Sequence, residues 1–252
     1  MLLMLGGLAG AAALTYGEYA SRASHSQLYG RSFVGLRRSS RLLALTYDDG
    51  PDPRNTPALM DVLSRHSVRA TFFFLGCNVA KEPQLAREVA RAGHVIANHT
   101  YHHPRLIFCT PARVRTELLE CERILSGEVG EHSRLWRPPY GRRLPHVMRA
   151  AEKVGLEAIM WSVNPRDWSL RTASEVEKRV LRCARGGDVI LMHDGGGDRL
   201  HTIEATDRLI GRYKNEGYQF VTVPEMMKAN GSHTAQEETS KKESSRETKP
   251  VV

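Results

Sequence analysis

Between residues 42 and 223 the chain alternates seven short apolar runs with six longer stretches of helical spacing, and this alternation restricts the fold more than any other feature. The runs at 42–47 (LLALTY), 70–75 (ATFFFL), 94–97 (HVIA), 135–137, 157–163, 188–192 and 219–223 have strand length and are rich in branched or aromatic residues. The segments at 57–66, 83–92, 111–126, 145–154, 174–184 and 202–216 carry helical spacing. Proline opens four of these and Ser or Thr the other two, as suits a first turn whose N–H groups lack an internal acceptor. Short apolar strands joined through helices predict a parallel sheet, since parallel strands need long crossovers. Seven strands and six helices predict a distorted (β/α)7 barrel; the 252 residues suit a single α/β barrel. The alternative, an open doubly wound sheet, lacks support because no G-x-G-x-x-G follows any strand.

The polar residues gather at one place in this rhythm. Asp48 and Asp49 end the first run, His99 and His103 follow the third, Arg137 ends the fourth, Asp167 follows the fifth, and His193 and Asp194 end the sixth. Barrel enzymes build their sites at the C-terminal ends of their strands, so five separate segments converge on one face. That convergence points to an enzyme.

Each cluster also has a plainer reading. In His99-Thr-Tyr-His-His103 the i, i+4 spacing on a helical turn would aim both imidazoles the same way, although a His99/His102 pair is also geometrically possible. Two His and one carboxylate leave open positions on a metal, as catalytic zinc sites do, whereas a His cluster alone is as often structural. In Thr46-Tyr-Asp-Asp-Gly-Pro51 the carboxylates could simply cap an Asp-Gly turn. Neighbouring side chains diverge, however, so one Asp can bind metal while the other faces the attacking water. Arg137-Pro-Pro-Tyr-Gly141 could be a rigid surface loop, and His193 a capped loop histidine.

Together the segments TYDDGP (46–51), HTYHH (99–103), RPPYG (137–141), DW (167–168) and LMHD (191–194) resemble the polysaccharide deacetylase family, also called carbohydrate esterase family 4 or the NodB homology domain. The five motifs occur in the family's order, with Tyr47 where Phe is usual; the likeness runs from about Arg41 to Met226, within one catalytic domain expected at residues 41–228. The resemblance implies that Asp49, His99 and His103 bind a divalent metal, most often Zn2+. It implies that Asp48 is the general base, held in its ionised form by Arg137, and that the backbone N–H of Tyr140 helps stabilise the oxyanion. His193 would be the general acid, oriented by Asp167, while Trp168 and Leu191 would wall the pocket for the acetyl methyl group. Such a pairing suits amide hydrolysis, because an amide nitrogen leaves poorly unless it is protonated. The implied substrate is an N-acetylglucosamine-containing glycan, chitin-like or peptidoglycan. An esterase or amidohydrolase on a non-sugar acyl substrate is the alternative, and a catalytically dead carbohydrate-binding module has no need of the acid–base pair.

A formal charge of +8 could favour nucleic acid, anionic membrane or an acidic wall polymer. No nucleic-acid-binding signature accompanies it, so no nucleic-acid partner is expected, and the plain reading is a solvated basic surface. The four cysteines form no C-x-x-C pair. Cys109 and Cys121 lie at either end of a helical stretch of roughly 18 Å, too far for a disulfide. Residues 1–20 open with MLLMLGGLAGAAAL, expected to be a signal or membrane anchor that places the protein at the cell envelope or outside the cytoplasm. Arg22, Arg31 and the cluster Arg37, Arg38, Arg41 after it stand in tension with export, because such charges stay on the cytoplasmic side. Residues 232–252 lack aromatic residues and carry balanced charge, the composition of a disordered tail. A monomer is the expected state.

Overall fold

The structure, a computed structural model, describes residues 15–230. Residues 1–14 of the apolar N-terminal segment and the whole 232–252 tail lie outside the described residues.

The expected distorted (β/α)7 barrel is what the chain forms. Its strands are β1 (Leu42–Asp48), β2 (Thr71–Phe74), β3 (Val95–Asn98), β4 (Leu135–Trp136), β5 (Glu157–Ala158), β6 (Val189–His193) and β7 (Gln219–Phe220). All pair in parallel, in the order β5-β4-β3-β2-β1-β6, and β7 joins the first residues of β1. The run expected at 157–163 pairs with β4 only at its start. It then continues past Phe33, and Val163 bridges to Ile190 of β6, so the sheet curls until its two ends meet. The stretch around residues 33–36 fills the lower seam: Phe33 N–H donates to Ala158 O, and Leu36 N–H to Gly187 O.

The strands are buried on both faces, which explains their continuous apolar runs. Alternation still sorts the side chains. Leu43, Leu45 and Tyr47 of β1 join Phe72, Phe74, Ile190 and Met192 in the layer beneath the helices. Ala44, Phe73, Ala97 and Val189 fill the barrel interior with Ile159 and Met226. Each fully buried Leu, Phe or Val contributes roughly 1.5–3 kcal/mol. Asp48 shares the inward face with Ala44 and Thr46, so it stands at the open C-terminal end above that interior.

The covering helices are α2 (Thr56–Arg65), α3 (Gly76–Lys81), α4 (Pro83–Arg91), α5 (Pro111–Glu128), α6 (Pro145–Val154), α7 (Ala173–Cys183) and α8 (Leu200–Asn215). Proline stands in the first turn of α2, α4, α5 and α6, and Thr172 and Glu175 form a capping box at α7. Residues 15–22 (α1) and 223–230 (α9) are also helical. Part of α1 packs on the domain: Ala20 and Ser21 are buried, Gly17 O accepts from the Tyr29 hydroxyl, and Glu18 pairs with Arg142. No helix among the described residues is long and apolar enough to cross a membrane.

Candidate active site

Asp48, Asp49, His99, His103, Tyr140, Trp168, Leu191 and His193 line one cavity of about 400 Å³, within the range of ligand sites. Arg137 and Asp167 sit fully buried behind it, each bonded to one of the lining residues. All ten residues singled out in the sequence therefore meet at one place.

The two aspartates diverge as neighbours on a strand should. Asp48 is the last residue of β1 and is buried, with Oδ1 accepting from Arg137 Nη1 at 2.6 Å. The Arg137 guanidinium fills the interior beneath, 4.0 Å from the Phe73 ring centroid. It also donates to Thr46 Oγ1, Ile159 O and Met160 O. A buried charge is tolerated only with this degree of pairing.

Asp49 turns the chain out of the strand with φ 76°, an uncommon conformation for a residue with a Cβ. Its Oδ1 is buried without a hydrogen-bond partner, and lies 3.5 Å from His99 Nε2 and 3.4 Å from His103 Nε2. Those separations are long for hydrogen bonds. They match donor atoms sharing one ion, since ligands bound tetrahedrally at 2.0–2.1 Å lie about 3.3 Å apart. The three candidate ligand atoms all fall within 4.8 Å of one another, so the residues fit a divalent metal. Burial opposes the charge on Asp49, but His99 and His103 outweigh it and hold the carboxyl well below its usual range. Burial, then the neighbouring His99, lowers His103 to about 4, which favours the neutral imidazole a metal requires.

The route by which His99 and His103 converge differs from the sequence expectation. Residues 99–103 form no helical turn. Thr100 and His103 adopt left-handed backbones (φ 71° and 61°), and the loop is held by Asn98 Oδ1, which accepts from Thr100 N–H, and Thr100 Oγ1, which accepts from His103 N–H. His99 Nδ1 lies 2.8 Å from Arg137 O, fixing the tautomer that leaves Nε2 toward Asp49. His102 points elsewhere: its N–H and Nδ1 both engage buried Glu117, at 2.8 and 3.0 Å. His103, and not His102, therefore faces Asp49 together with His99.

Across the cavity, His193 Nδ1 lies 2.8 Å from Asp167 Oδ1, and His193 N–H donates to Asp167 Oδ2. Thr202 Oγ1 donates to the same Oδ2. Burial disfavours imidazolium at His193, but the hydrogen bond and charge of Asp167, with Asp48 and Asp49 behind it, push it up to about 9. Tyr140 holds φ 58° at the rim, its ring 4.6 Å from that of His103.

Asp194 is a residue whose place the motif reading left without a role. It is fully buried, its N–H donates to Asp48 O, and Oδ2 accepts from Thr56 Oγ1 at 2.6 Å. A Cβ on Gly50 would collide with its carboxyl, and one on Gly195 would strike Asp49 O. The 194–197 turn thus clamps the turn that carries Asp49, and Arg199 braces it through Gly195 O and Gly196 O. Burial first, then the charges of Asp49 and Asp48, push Asp194 up to about 7.

A parallel barrel that gathers carboxylates, imidazoles and a group able to hold a metal ion in one cavity at its strand ends has the architecture of a barrel enzyme's active site. Residues 36–159 match the polysaccharide deacetylase family model. The chain is 34% identical over 192 residues to a peptidoglycan-N-acetylglucosamine deacetylase of Bacillus cereus, covering 75% of this chain and 90% of that protein. It is 37% identical to a chitooligosaccharide deacetylase of Bradyrhizobium sp., covering 74% and 91%. The solved structure of the Bc1960 peptidoglycan N-acetylglucosamine deacetylase superimposes with TM-score 0.74 at 37% identity, over 77% of this chain and 91% of that one. The chain belongs to the polysaccharide deacetylase family. It is an enzyme of that class, a hydrolase acting on acetylated polysaccharide.

Proposed function

We propose that this protein removes N-acetyl groups from N-acetylglucosamine units of a cell-envelope glycan, using one divalent metal, Zn2+ in the first instance, held by Asp49, His99 and His103. The observation that carries this reading is the cradle itself: an unpartnered buried carboxylate oxygen faced by two imidazole nitrogens, with Asp48 and His193 beside it in the same cavity. A dication bound there would polarise the acetamide carbonyl and acidify a nearby water. Asp48, fixed by Arg137, takes the proton of the attacking water. His193, with Nδ1 committed to Asp167, keeps Nε2 for the leaving nitrogen and donates its proton there. The Tyr140 N–H supports the developing oxyanion, and Trp168 and Leu191 enclose the acetyl methyl. Residues 1–14 of the N-terminal segment act as export signal or anchor, consistent with relatives named for peptidoglycan, while residues 15–20 belong to the helix that packs on the domain.

Zinc-loaded protein incubated with chitooligosaccharides, peptidoglycan fragments and small acetyl esters, followed by mass spectrometry, tests this reading. Acetyl loss from the glycans is the expected result. Loss from non-sugar esters alone would replace it with the acyl-esterase alternative, and binding without acetyl loss would make the chain a carbohydrate-binding module.

A further inference from the structure

Beside the catalytic cavity, and sharing Tyr140, Trp161, Asn164 and Trp168 with it, runs a groove of about 600 Å³. Four guanidinium groups line it, those of Arg22, Arg105, Arg142 and Arg166, and among the described residues no carboxylate does. Arg22 and Arg142 share the single carboxylate of Glu18, at 2.5 and 2.8 Å. Arg105 and Arg166 are exposed and have no acidic partner among the described residues. Both are nevertheless held in place. Arg105 Cζ lies 5.5 Å from the Tyr140 ring centroid, and Arg166 Cζ lies 5.2 Å from that of Trp168. Cation–π contact of this kind restrains a long side chain before a ligand arrives. Arg166 also occupies a left-handed backbone (φ 56°) immediately before Asp167, so its position is tied to the residue that orients His193.

Sugar hydroxyls are commonly gripped by carboxylate and amide acceptors, which this groove lacks apart from Asn164. A planar guanidinium fork instead matches a carboxylate bidentately. We propose that the groove is a subsite for the carboxylate of a unit adjacent to the N-acetyl group being removed, so that the preferred substrate is an acidic amino-sugar glycan and not a neutral one. This rests on the deacetylase reading and chooses among its substrates. The carboxylate can be borne by the neighbouring sugar, as in a lactyl-substituted residue, or by a peptide attached to it; the groove chemistry is the same.

Three tetrasaccharides of alternating N-acetylglucosamine and N-acetylmuramic acid decide the matter: one with free lactyl carboxylates, one with them amidated, and one carrying short acidic peptides. For zinc-loaded protein at low salt, kcat/KM for a charged form over the amidated form is expected to be about tenfold, as two exposed charge-assisted contacts would give. The ratio should shrink toward one in 0.5 M NaCl and in the Arg105→Gln/Arg166→Gln double variant. Preference for the lactyl form assigns the carboxylate to the sugar, and preference for the peptide form alone assigns it to the stem. Equal kcat/KM on charged and amidated glycans, or a ratio the double variant leaves intact, overturns the proposal while the deacetylase reading stands. No acetyl loss from any of the three overturns both.

Discussion

Replacing Asp167 by Asn tests the proton donor without touching the metal cradle. His193 owes its value of about 9 to Asp167 above all, because burial alone would drive it below its ordinary 6.5. Asn keeps the shape but removes the charge. If His193 returns to 6.5, its protonated fraction at pH 8 falls from about nine-tenths to about 3 per cent, and amide turnover falls about 30-fold from protonation alone. A dication at Asp49, His99 and His103 repels the imidazolium and draws the wild-type limb below 9, which reduces this loss, whereas the burial that remains in the variant increases it. The assay is kcat between pH 6 and pH 10 on an N-acetylated glycan and on an activated aryl acetate. The alkaline limb should move down by about 2.5 pH units on the amide, less what the dication takes from the wild-type value, with little loss on the aryl acetate, whose leaving group departs without a proton. The shift also has a stability signature. His193 is raised on folding, so its contribution is complete below 6.5 and is lost as pH rises through about 9. The Tm of metal-free wild type should fall across that window more than that of Asp167→Asn. An unmoved limb, or equal losses on both substrates, would refute the acid role and leave His193 to the fold or the metal.

Other perturbations separate the remaining roles. His99→Ala and His103→Ala should each abolish zinc binding and turnover, while His102→Ala, removed from the cradle by Glu117, should keep both; metal content of purified protein reads this directly. Asp49→Asn should weaken zinc binding, whereas Asp48→Asn should retain zinc and lose about 100-fold or more in turnover, and equal metal loss in both would show that the roles are not divided. Gly50→Ala forces the Asp49 turn away from Asp194, so it should lower Tm by about 2–10 °C and weaken zinc binding measured against a chromophoric chelator; an unchanged affinity would show that Asp194 does not set the ligand's position. Deleting residues 232–252 should leave Tm and activity unchanged. Deleting 1–14 should release the protein from a membrane fraction, and deleting 1–20 should additionally lower Tm by removing Ala20 and the Glu18–Arg142 pair.

The barrel was legible because its signals are local. Strands buried on both faces need runs such as ATFFFL, and a proline at a helix start leaves its mark whatever the tertiary context. The short α3 escaped notice because six residues give too little periodicity to register. The run at 157–163 read as one strand because apolar character persists along it, although its partners change midway from β4 to Phe33 and then β6. At 99–103, i, i+4 spacing is the same on paper for a helical turn and for a loop. What brings the imidazoles together is a pair of left-handed residues, and neither Thr100 nor His103 announces that conformation. Asp194 acts through Gly50, 144 positions earlier, and a contact of that separation has no local trace.

Asp48 and His193 are register partners on adjacent parallel strands. Their backbones are therefore held about 4.7–4.9 Å apart by the sheet's own hydrogen bonds, and their side chains rise from the same face. The distance between the proposed base and the proposed acid thus passes through no loop. Segments that shape the arginine groove, such as residues 105–108, can lengthen, shorten or be exchanged for those of a relative without altering that distance. Chemistry and substrate choice are in this sense separately heritable here. A laboratory library confined to Arg105, Ile107 and Phe108, which line the groove but not the catalytic cavity, should change which glycan is accepted long before it changes how the acetyl group is removed.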